Sequence, residues 1–271
     1  MADRQQGLAD LTWLEKLRLP DMLSEQAYEE SSQDVRARLK AGMAYAQSVF
    51  GQVEASVERH LTCAGHSPLT REERLRPVDW TCLLIACEYQ AAARVLACAV
   101  LPRLCAVQDV FAIFSGPLPQ ASALVSLELA GVQDLFCLDT AQTEACLTQV
   151  GGCGRILNLG QKLTSALAAH PCLCLNETVP PPLYCLDPEL FAPDLLRFMH
   201  GVVPESRPAT PSQQSHCGLF VSEDRARQLL ASGEVEDSLL ITPGCEGCWR
   251  YPCLTRNSFI KRCERISQLA S

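Results

Sequence analysis

The stretch of sequence that decides the fold runs from residue 81 to residue 114 and reads TCLLIACEYQAAARVLACAVLPRLCAVQDVFAIF. Its first seven residues, 81–87, form a continuous apolar run, which is typical of a strand buried on both faces. Residues 89–106 are rich in alanine and leucine and predict a helix, and the apolar run at 109–114 predicts a second strand. A strand, a long helix and another strand in this order indicate a β-α-β unit with parallel strands.

The same alternation continues beyond residue 114, and the prolines at 180–182 divide it into two units. In the first unit the pattern predicts helices at 119–130, 140–150 and 161–169, and strands at 133–138, 155–159 and 172–175. In the second unit it predicts strands at 183–186, 217–221 and 239–242, and helices at 188–199, 223–232 and 257–269. We therefore expect an α/β protein with a doubly wound, largely parallel sheet.

The N-terminal part of the sequence has a helical pattern. A long amphipathic helix is predicted over 24–61, with an apolar stripe that contains Val35, Leu39, Met43, Val49 and Val53. The polar, proline-bearing stretch 64–77 predicts a linker. The expected organisation is a helical arm and linker over 1–77, a nucleotide-binding-like α/β domain over 78–179, and a shortened second α/β domain over 180–271.

Composition narrows the classes of function. The chain has 271 residues, 48% of them hydrophobic and 20% charged, and its net charge is −8. Nucleic acids and anionic membranes select clustered lysine and arginine, so we expect neither as a partner. No apolar run reaches the roughly 18 residues of a membrane helix, and the N-terminus lacks the apolar core of a signal peptide.

Sixteen cysteines are the most unusual feature of the composition. Most lie in apolar runs where valine or alanine would fit, which predicts reduced thiols in a cytoplasmic protein. The spacing Cys245-x2-Cys248-x4-Cys253, with Cys263 ten residues later, is compatible with a metal site, a redox pair or a structural role. A single CxxC, with Cys263 in a predicted helix, favours the structural role.

Few residues offer catalytic chemistry. The phosphate-binding and nucleophile motifs GxGxxG, GxxxxGK[ST], GxSxG and HExxH are absent. Only His200 follows an amphipathic helix and is expected to face an interior cleft; no two of the histidines have the spacing of a helical metal pair. They are His60, His66, His170, His200 and His216. Glu88 and Glu177 follow predicted strands, where each would act as a base or face solvent.

Four segments together resemble the histidinol dehydrogenase family of the aldehyde-dehydrogenase-like superfamily. They are LELAGVQDLFCLDTAQTEACL at 127–147, RILNLGQ at 155–161, LYCLDPELFAPDLLRFMHG at 183–201, and LLITPG with NSFIKRCERI at 239–266. The resemblance covers residues 78–269 and rests on the shared order of the segments. It implies NAD binding at the turns after the strands, through Gln142 of an Ala-Gln turn, Gly160, and Gln161 in place of an asparagine. Polar turns at strand ends without a cofactor are the alternative.

The departures from the family concern its catalytic residues. Arg197 and His200 stand where the family has the glutamine and histidine of its zinc site, and a guanidinium has no lone pair for a metal. Pro180 stands where the family has a serine. The family's Glu-His acid/base pair and its aspartate ligand should lie between Val221 and Leu239, where only seventeen residues occur. Its last histidine ligand has no counterpart before Ser271. A catalytic zinc is therefore not expected.

These observations leave three hypotheses of function. The first is a non-catalytic or divergent histidinol dehydrogenase-like protein with a binding or scaffolding role. The second is an NAD(P)-dependent oxidoreductase that acts on an alcohol or aldehyde with a repurposed site, for which Cys217 is the candidate nucleophile. The third is a cysteine-ligated metal or redox module. We also expect a homodimer with the helix over 24–61 in its interface; packing of that helix back on its own domain is the alternative.

Overall fold

The computed structural model describes residues 8, 11–52, 56–63, 69–116, 118–206, 218–233, 235 and 238–268. Its helices, in chain order, are α1 (Met22–Glu30), α2 (Gln33–Phe50), α3 (Ala92–Leu104), α4 (Ala121–Leu129), α5 (Thr140–Gln149), α6 (Ser165–Ala168), α7 (Pro193–His200) and α8 (Glu223–Ser232). Its strands are β1 (Val57–Cys63), β2 (Leu69–Pro77), β3 (Trp80–Ala86), β4 (Asp109–Ser115), β5 (Asp134–Cys137), β6 (Gly154–Leu159), β7 (Leu173–Glu177), β8 (Leu183–Cys185), β9 (Glu205–Ser206), β10 (Gly218–Phe220), β11 (Leu239–Ile241) and β12 (Ile260–Gln268). None of the helices in these ranges combines the length and apolar character that a membrane span requires.

A five-stranded parallel sheet, in the order β5-β4-β3-β6-β7, forms the centre of the molecule. All seven residues of β3 are buried, as the continuous apolar run predicts. Leu83 and Ile85 pack under α2, α3 and α4, whereas Cys82 and Leu84 pack under α5, α6 and the short helix Leu14–Leu17. Helices thus cover both faces, which confirms the doubly wound α/β class.

A second, four-stranded parallel sheet has the order β11-β10-β8-β9. Its central strand β10 is fully buried, with α8 on one face. Phe220 and Ile241 belong to the same core as β3 and α3, and α7 packs against α3. The ends of the two parallel sheets therefore face a shared interior. The helix predicted over 188–199 begins only at Pro193.

A three-stranded antiparallel sheet, β1-β2-β12, corrects three sequence predictions. The helix predicted to reach residue 61, the linker over 64–77 and the closing helix over 257–269 each contain a strand instead. Leu61 and Ile266 both pair with Arg71, and Glu73 forms an ion pair with Arg262 at 2.7 Å between side-chain atoms. The apolar residues of this sheet lie on one face, but charged residues such as Arg71, Glu73 and Arg262 are interspersed among them on that same face, so the sequence shows no clean period-2 pattern. β2 pairs with the neighbouring β1 on one side and with β12, nearly 200 residues away along the chain, on the other.

The N-terminal helices pack on their own chain. The single helix predicted over 24–61 is divided at Ser32, whose side chain caps α2 by accepting a hydrogen bond from the Val35 backbone N–H at 3.2 Å. α1 packs on α4 and α2 packs on α3, which buries Leu39 completely. Gly42 and Gly247 let α2 approach the loop after β11, since a Cβ at Gly247 would overlap the backbone carbonyl of Arg38. Val53 of the predicted stripe lies outside the described residues.

Candidate functional site

The candidate site lies where β3, β6 and β7 end. β3 and β6 are neighbours at the point where the strand order reverses. The chain adds β4 and β5 on the β3 side of the sheet, and β7 on the β6 side. Open α/β sheets bind ligands in the crevice outside the strand ends at this position. Here the segments after the strands bring together Glu88, Tyr89 and Gly160, with Glu177 at the end of β7. The last turn of α7 closes the crevice with His200.

Glu177 is the centre of a buried hydrogen-bond network. Its Oε1 accepts hydrogen bonds from Tyr89 Oη and from Arg94 Nη1, each at 2.7 Å, and its Oε2 accepts one from Tyr251 Oη. The side chains of Arg94 and Glu177 are 2% and 4% exposed. The sequence left Glu177 as a base or a solvent-facing side chain. It is instead a buried acceptor, because Arg94 compensates its charge inside the protein.

Burial sets the protonation of the groups around this network. It raises the pKa of both Tyr89 and Tyr251 well above the ordinary tyrosine value. Burial, together with the positive charge of Arg94, lowers the pKa of His200 to about 3. His200 is therefore neutral at pH 7, and neither tyrosine ionises there. None of these three side chains exchanges a proton near neutral pH.

His200 lies in an interior cleft, as its position after an amphipathic helix predicts. The ring is fully buried, with its centroid 5.2 Å from that of Phe220 and 5.7 Å from that of Trp249. Its Nε2 lies 2.8 Å from the carbonyl oxygen of Glu246, and Arg94 donates a hydrogen bond to the His200 carbonyl. Because a neutral ring that donates from Nε2 keeps its lone pair on Nδ1, Nδ1 is a buried acceptor. It has no partner within the described ranges.

The residues at the positions that correspond to the family's zinc ligands do not fit a zinc ion. Arg197 forms an ion pair with Asp194 at 2.8 Å, and its guanidinium offers only donors. The Nε2 of His200 is already bonded to Glu246. Across the part of the chain that the structure describes, no three histidine, cysteine, aspartate or glutamate side chains converge as metal ligands.

The three residues that the resemblance assigns to NAD are held by internal contacts. Gln161 is buried, and its Nε2 donates to the carbonyl oxygens of Ile85 and Ile113, both at 3.0 Å. Gln142 forms the capping box of α5 with Asp139. Gly160 has a φ of +81° and lies against the ring of Tyr89. NAD binding through these residues stays a prediction. To bind NAD, Gln161 must give up the two hydrogen bonds that join the ends of β3 and β4.

The crevice contains a cavity of about 200 Å³. It is lined by Ala86, Glu88, Tyr89, Gln90, Ala91, Arg94, Gly160, Pro180, His200, Gly201 and Val202. Two wall residues carry polar atoms that are buried without a hydrogen-bond partner among the described residues, His200 Nδ1 and Arg94 Nε. One is an acceptor and the other a donor. Buried polar groups are nearly always paired in native proteins, so this cavity has the chemistry of a site for a small polar molecule.

Sequence reasoning missed Arg94, Tyr89 and Tyr251. The signal for Arg94 was available, since it is the single charge inside the apolar helical run AAARVLACAV and is only 1% exposed. A lone charge in a buried helix requires a partner. The tyrosines carry no comparable signal, because nothing local indicates that residues 89 and 251 meet at the same carboxylate.

The cysteines whose side chains the structure describes are free thiols. There are fourteen of them, and burial raises the pKa of Cys248 and Cys146 to about 12. Cys248 is buried after β11, Cys253 is exposed, and Cys263 lies on β12 rather than in a helix. Cys217, the candidate nucleophile, lies outside the described residues.

Comparison with known proteins identifies the fold. No family model matches the sequence, and no curated protein matches it. Among solved structures, histidinol dehydrogenase from Elizabethkingia anophelis superposes with a TM-score of 0.57 at 9% identity, over 93% of this chain and 77% of that one. Methylmalonate-semialdehyde dehydrogenase from Oceanimonas doudoroffii has a TM-score of only 0.28 at 13% identity, over 82% of this chain and 43% of that one. The chain therefore has the fold of a histidinol dehydrogenase.

Proposed function

We propose that this chain is a non-catalytic binding protein on a dehydrogenase-like fold, and that the crevice at the ends of β3 and β6 is its ligand site. The observation that carries the proposal is the cavity with two unpaired polar atoms, His200 Nδ1 and Arg94 Nε. A ligand that satisfies both has an N–H or O–H donor and an oxygen acceptor. The volume of about 200 Å³ suits a molecule of amino-acid or hydroxy-acid size.

The protonation of the site supports a binding role. Hydride transfer from an alcohol needs a group that accepts the hydroxyl proton. Glu177 already accepts hydrogen bonds from three side chains, and the pKa of His200 is about 3, so His200 does not accept a proton near pH 7. The residues at the positions of the family's zinc ligands do not fit the metal, and Gln161 is engaged internally, so the proposed binding role involves neither a zinc ion nor a nicotinamide.

The experiment is a thermal-shift and calorimetric screen of small amino acids and hydroxy acids, with L-serine and L-lactate as first probes. Val202 lines the cavity and is 44% exposed, so Val202→Trp should block the entrance without disturbing the core. Val203 is 43% exposed and does not line the cavity, so Val203→Trp is the matched control. Binding that is lost in the first variant and kept in the second supports the proposal. Binding that survives Val202→Trp contradicts it.

One observation favours the second candidate function, an NAD(P)-dependent oxidoreductase with a repurposed site. Glu88 lines the cavity from its exposed rim, and no hydrogen bond to it occurs in the described ranges. Such a carboxylate has the position of a general base. Calorimetry with NAD, NADH and NADP separates the two functions, because the oxidoreductase requires a dinucleotide to bind and the binding protein does not.

Domain organisation and assembly are further parts of the proposal. We keep 78–179 and 180–271 as the two α/β domains. Residues 1–77 contribute α1 and α2, which pack on the first domain, and β1 and β2, which form a sheet with β12 of the second. The expected homodimer stays a prediction. Its interface does not use the buried face of α2, since Leu39 and Val35 pack on the same chain.

A further inference from the structure

A second cavity, of about 280 Å³, lies between the end of β7 and the loop after β11. It shares no lining residue with the cavity at β3 and β6. It is lined by Leu175, Glu177, Val179, Pro181, Leu239, Trp249, Arg250, Tyr251, Pro252 and Cys253. Nothing in the proposed function uses this space.

The walls of the second cavity are mainly apolar and aromatic. Trp249 and Tyr251 are 6% and 8% exposed, and their ring centroids are 6.2 Å apart at an interplanar angle of 79°. Pro181 and Pro252 add rigid apolar surface beside the two rings. Ligand pockets combine such walls with a few polar groups that fix orientation. Two aromatic rings at an edge-to-face angle favour a third flat ring as the occupant.

The polar groups of this cavity select an anion. Trp249 Nε1–H is buried and has no acceptor among the described residues. Arg250 is exposed and forms no ion pair within the same ranges. The other charged group, Glu177, is compensated by Arg94 and takes up the hydroxyl of Tyr251. Although Cys253 is an exposed residue, partial desolvation of its thiol raises the pKa, so the thiol adds no negative charge at neutral pH. The groups left to bind a ligand are the Trp249 N–H, which is an uncharged donor, and the Arg250 side chain, which is a cation.

We propose that the second cavity binds a small aromatic carboxylate. The ring occupies the space between Trp249, Tyr251 and the prolines, and the carboxylate meets Arg250 at the exposed rim. A guanidinium recognises a carboxylate by parallel N–H donors, and an indole N–H supplies a further donor. The inference stands apart from the proposed function, because the two cavities have separate walls and can be tested one at a time.

The test is isothermal calorimetry on the full chain with phenylacetate, and with 2-phenylethanol as the uncharged analogue. We expect phenylacetate to bind one molecule per chain at least tenfold more tightly than 2-phenylethanol. Arg250→Gln should weaken phenylacetate at least tenfold and leave 2-phenylethanol within twofold. Arg227→Gln is the matched control, since Arg227 is an exposed arginine on α8 away from the cavity.

A second variant keeps the test independent of charge. Val179 is 78% exposed at the rim, so Val179→Trp should fill the entrance and abolish binding while the melting temperature stays near that of the wild type. The proposal is overturned if phenylacetate does not bind, if 2-phenylethanol binds equally well, or if binding survives Arg250→Gln or Val179→Trp.

Discussion

Arg94 and Glu177 form an ion pair in the interior, with 2.7 Å between Nη1 and Oε1 and side chains that are 2% and 4% exposed. Arg94 lies in the first turn of α3, and Glu177 ends β7, so the pair links two edges of the crevice. Arg94 also donates to the carbonyl of His200 at the end of α7. One guanidinium thus holds together the strand ends of the large sheet and the helix that closes the cavity.

Loss of Arg94 should destabilise the protein strongly. Arg94→Met leaves the Glu177 carboxylate buried without its cation, which costs about 3–5 kcal/mol of unfolding free energy. The double variant Arg94→Met, Glu177→Met removes both charges and should recover part of that loss. Urea unfolding at pH 7 measures both values. A cost below about 1 kcal/mol for the single variant would mean that the pair is not buried in this way.

Stability should fall as the pH falls, because of His200. Its pKa is about 3 in the folded chain against 6.5 as the ordinary value, so the unfolded chain binds a proton that the folded chain does not. The contribution is fully present above pH 6.5 and declines by about 1.4 kcal/mol per pH unit between 6.5 and 3. Between pH 6.5 and 5 the loss is about 2 kcal/mol.

The variant His200→Gln tests this directly, since a glutamine amide can still donate to the Glu246 carbonyl. Its unfolding free energy should vary less between pH 6.5 and 5 than that of the wild type. His60→Gln is the control, because His60 is exposed on β1. An unchanged pH dependence in His200→Gln would contradict the assignment.

The N-terminal segment should stabilise the protein mainly through the packing of α2 on its own chain, and not through contacts between two copies. Leu39 is fully buried, so Leu39→Ala should cost about 2–5 kcal/mol. Val49→Ala is the control at a 44% exposed position of the same helix and should cost well under that. Light scattering should give the same mass for Leu39→Ala and the wild type. A reduced mass would place α2 in an interface between copies.

Gln161 should act as a tie between strands. Gln161→Leu leaves the carbonyls of Ile85 and Ile113 without their side-chain donor, which costs about 1–3 kcal/mol for each unsatisfied buried group. Thermal unfolding measures the loss. Gln142→Leu, which removes only half of an exposed capping box, is expected to cost less. If Gln161→Leu leaves the thermal stability unchanged, the two hydrogen bonds are dispensable, and the amide of the wild-type Gln161 is available to bind a cofactor.

The parallel sheet was predictable because its signal is local. The apolar runs at 81–87 and 109–114 are separated by a helix of the right length, and only a buried parallel sheet accommodates that pattern. The antiparallel sheet was not predictable, since Leu61 and Ile266 acquire their strand conformation from pairing with Arg71. For the site, the position of His200 in a cleft was predictable from the helix before it. The burial of Glu177 was not, because its partners come from residues 89, 94 and 251.

The most direct test of the central claim follows nicotinamide absorbance while the purified full chain is incubated with NAD or NADP and a panel of alcohols and aldehydes that includes histidinol. We expect no reduction of the nicotinamide above the rate without protein, for the wild type and for Glu88→Gln alike. Reduction by the wild type that Glu88→Gln abolishes would contradict it, because that result would make the crevice an oxidoreductase active site.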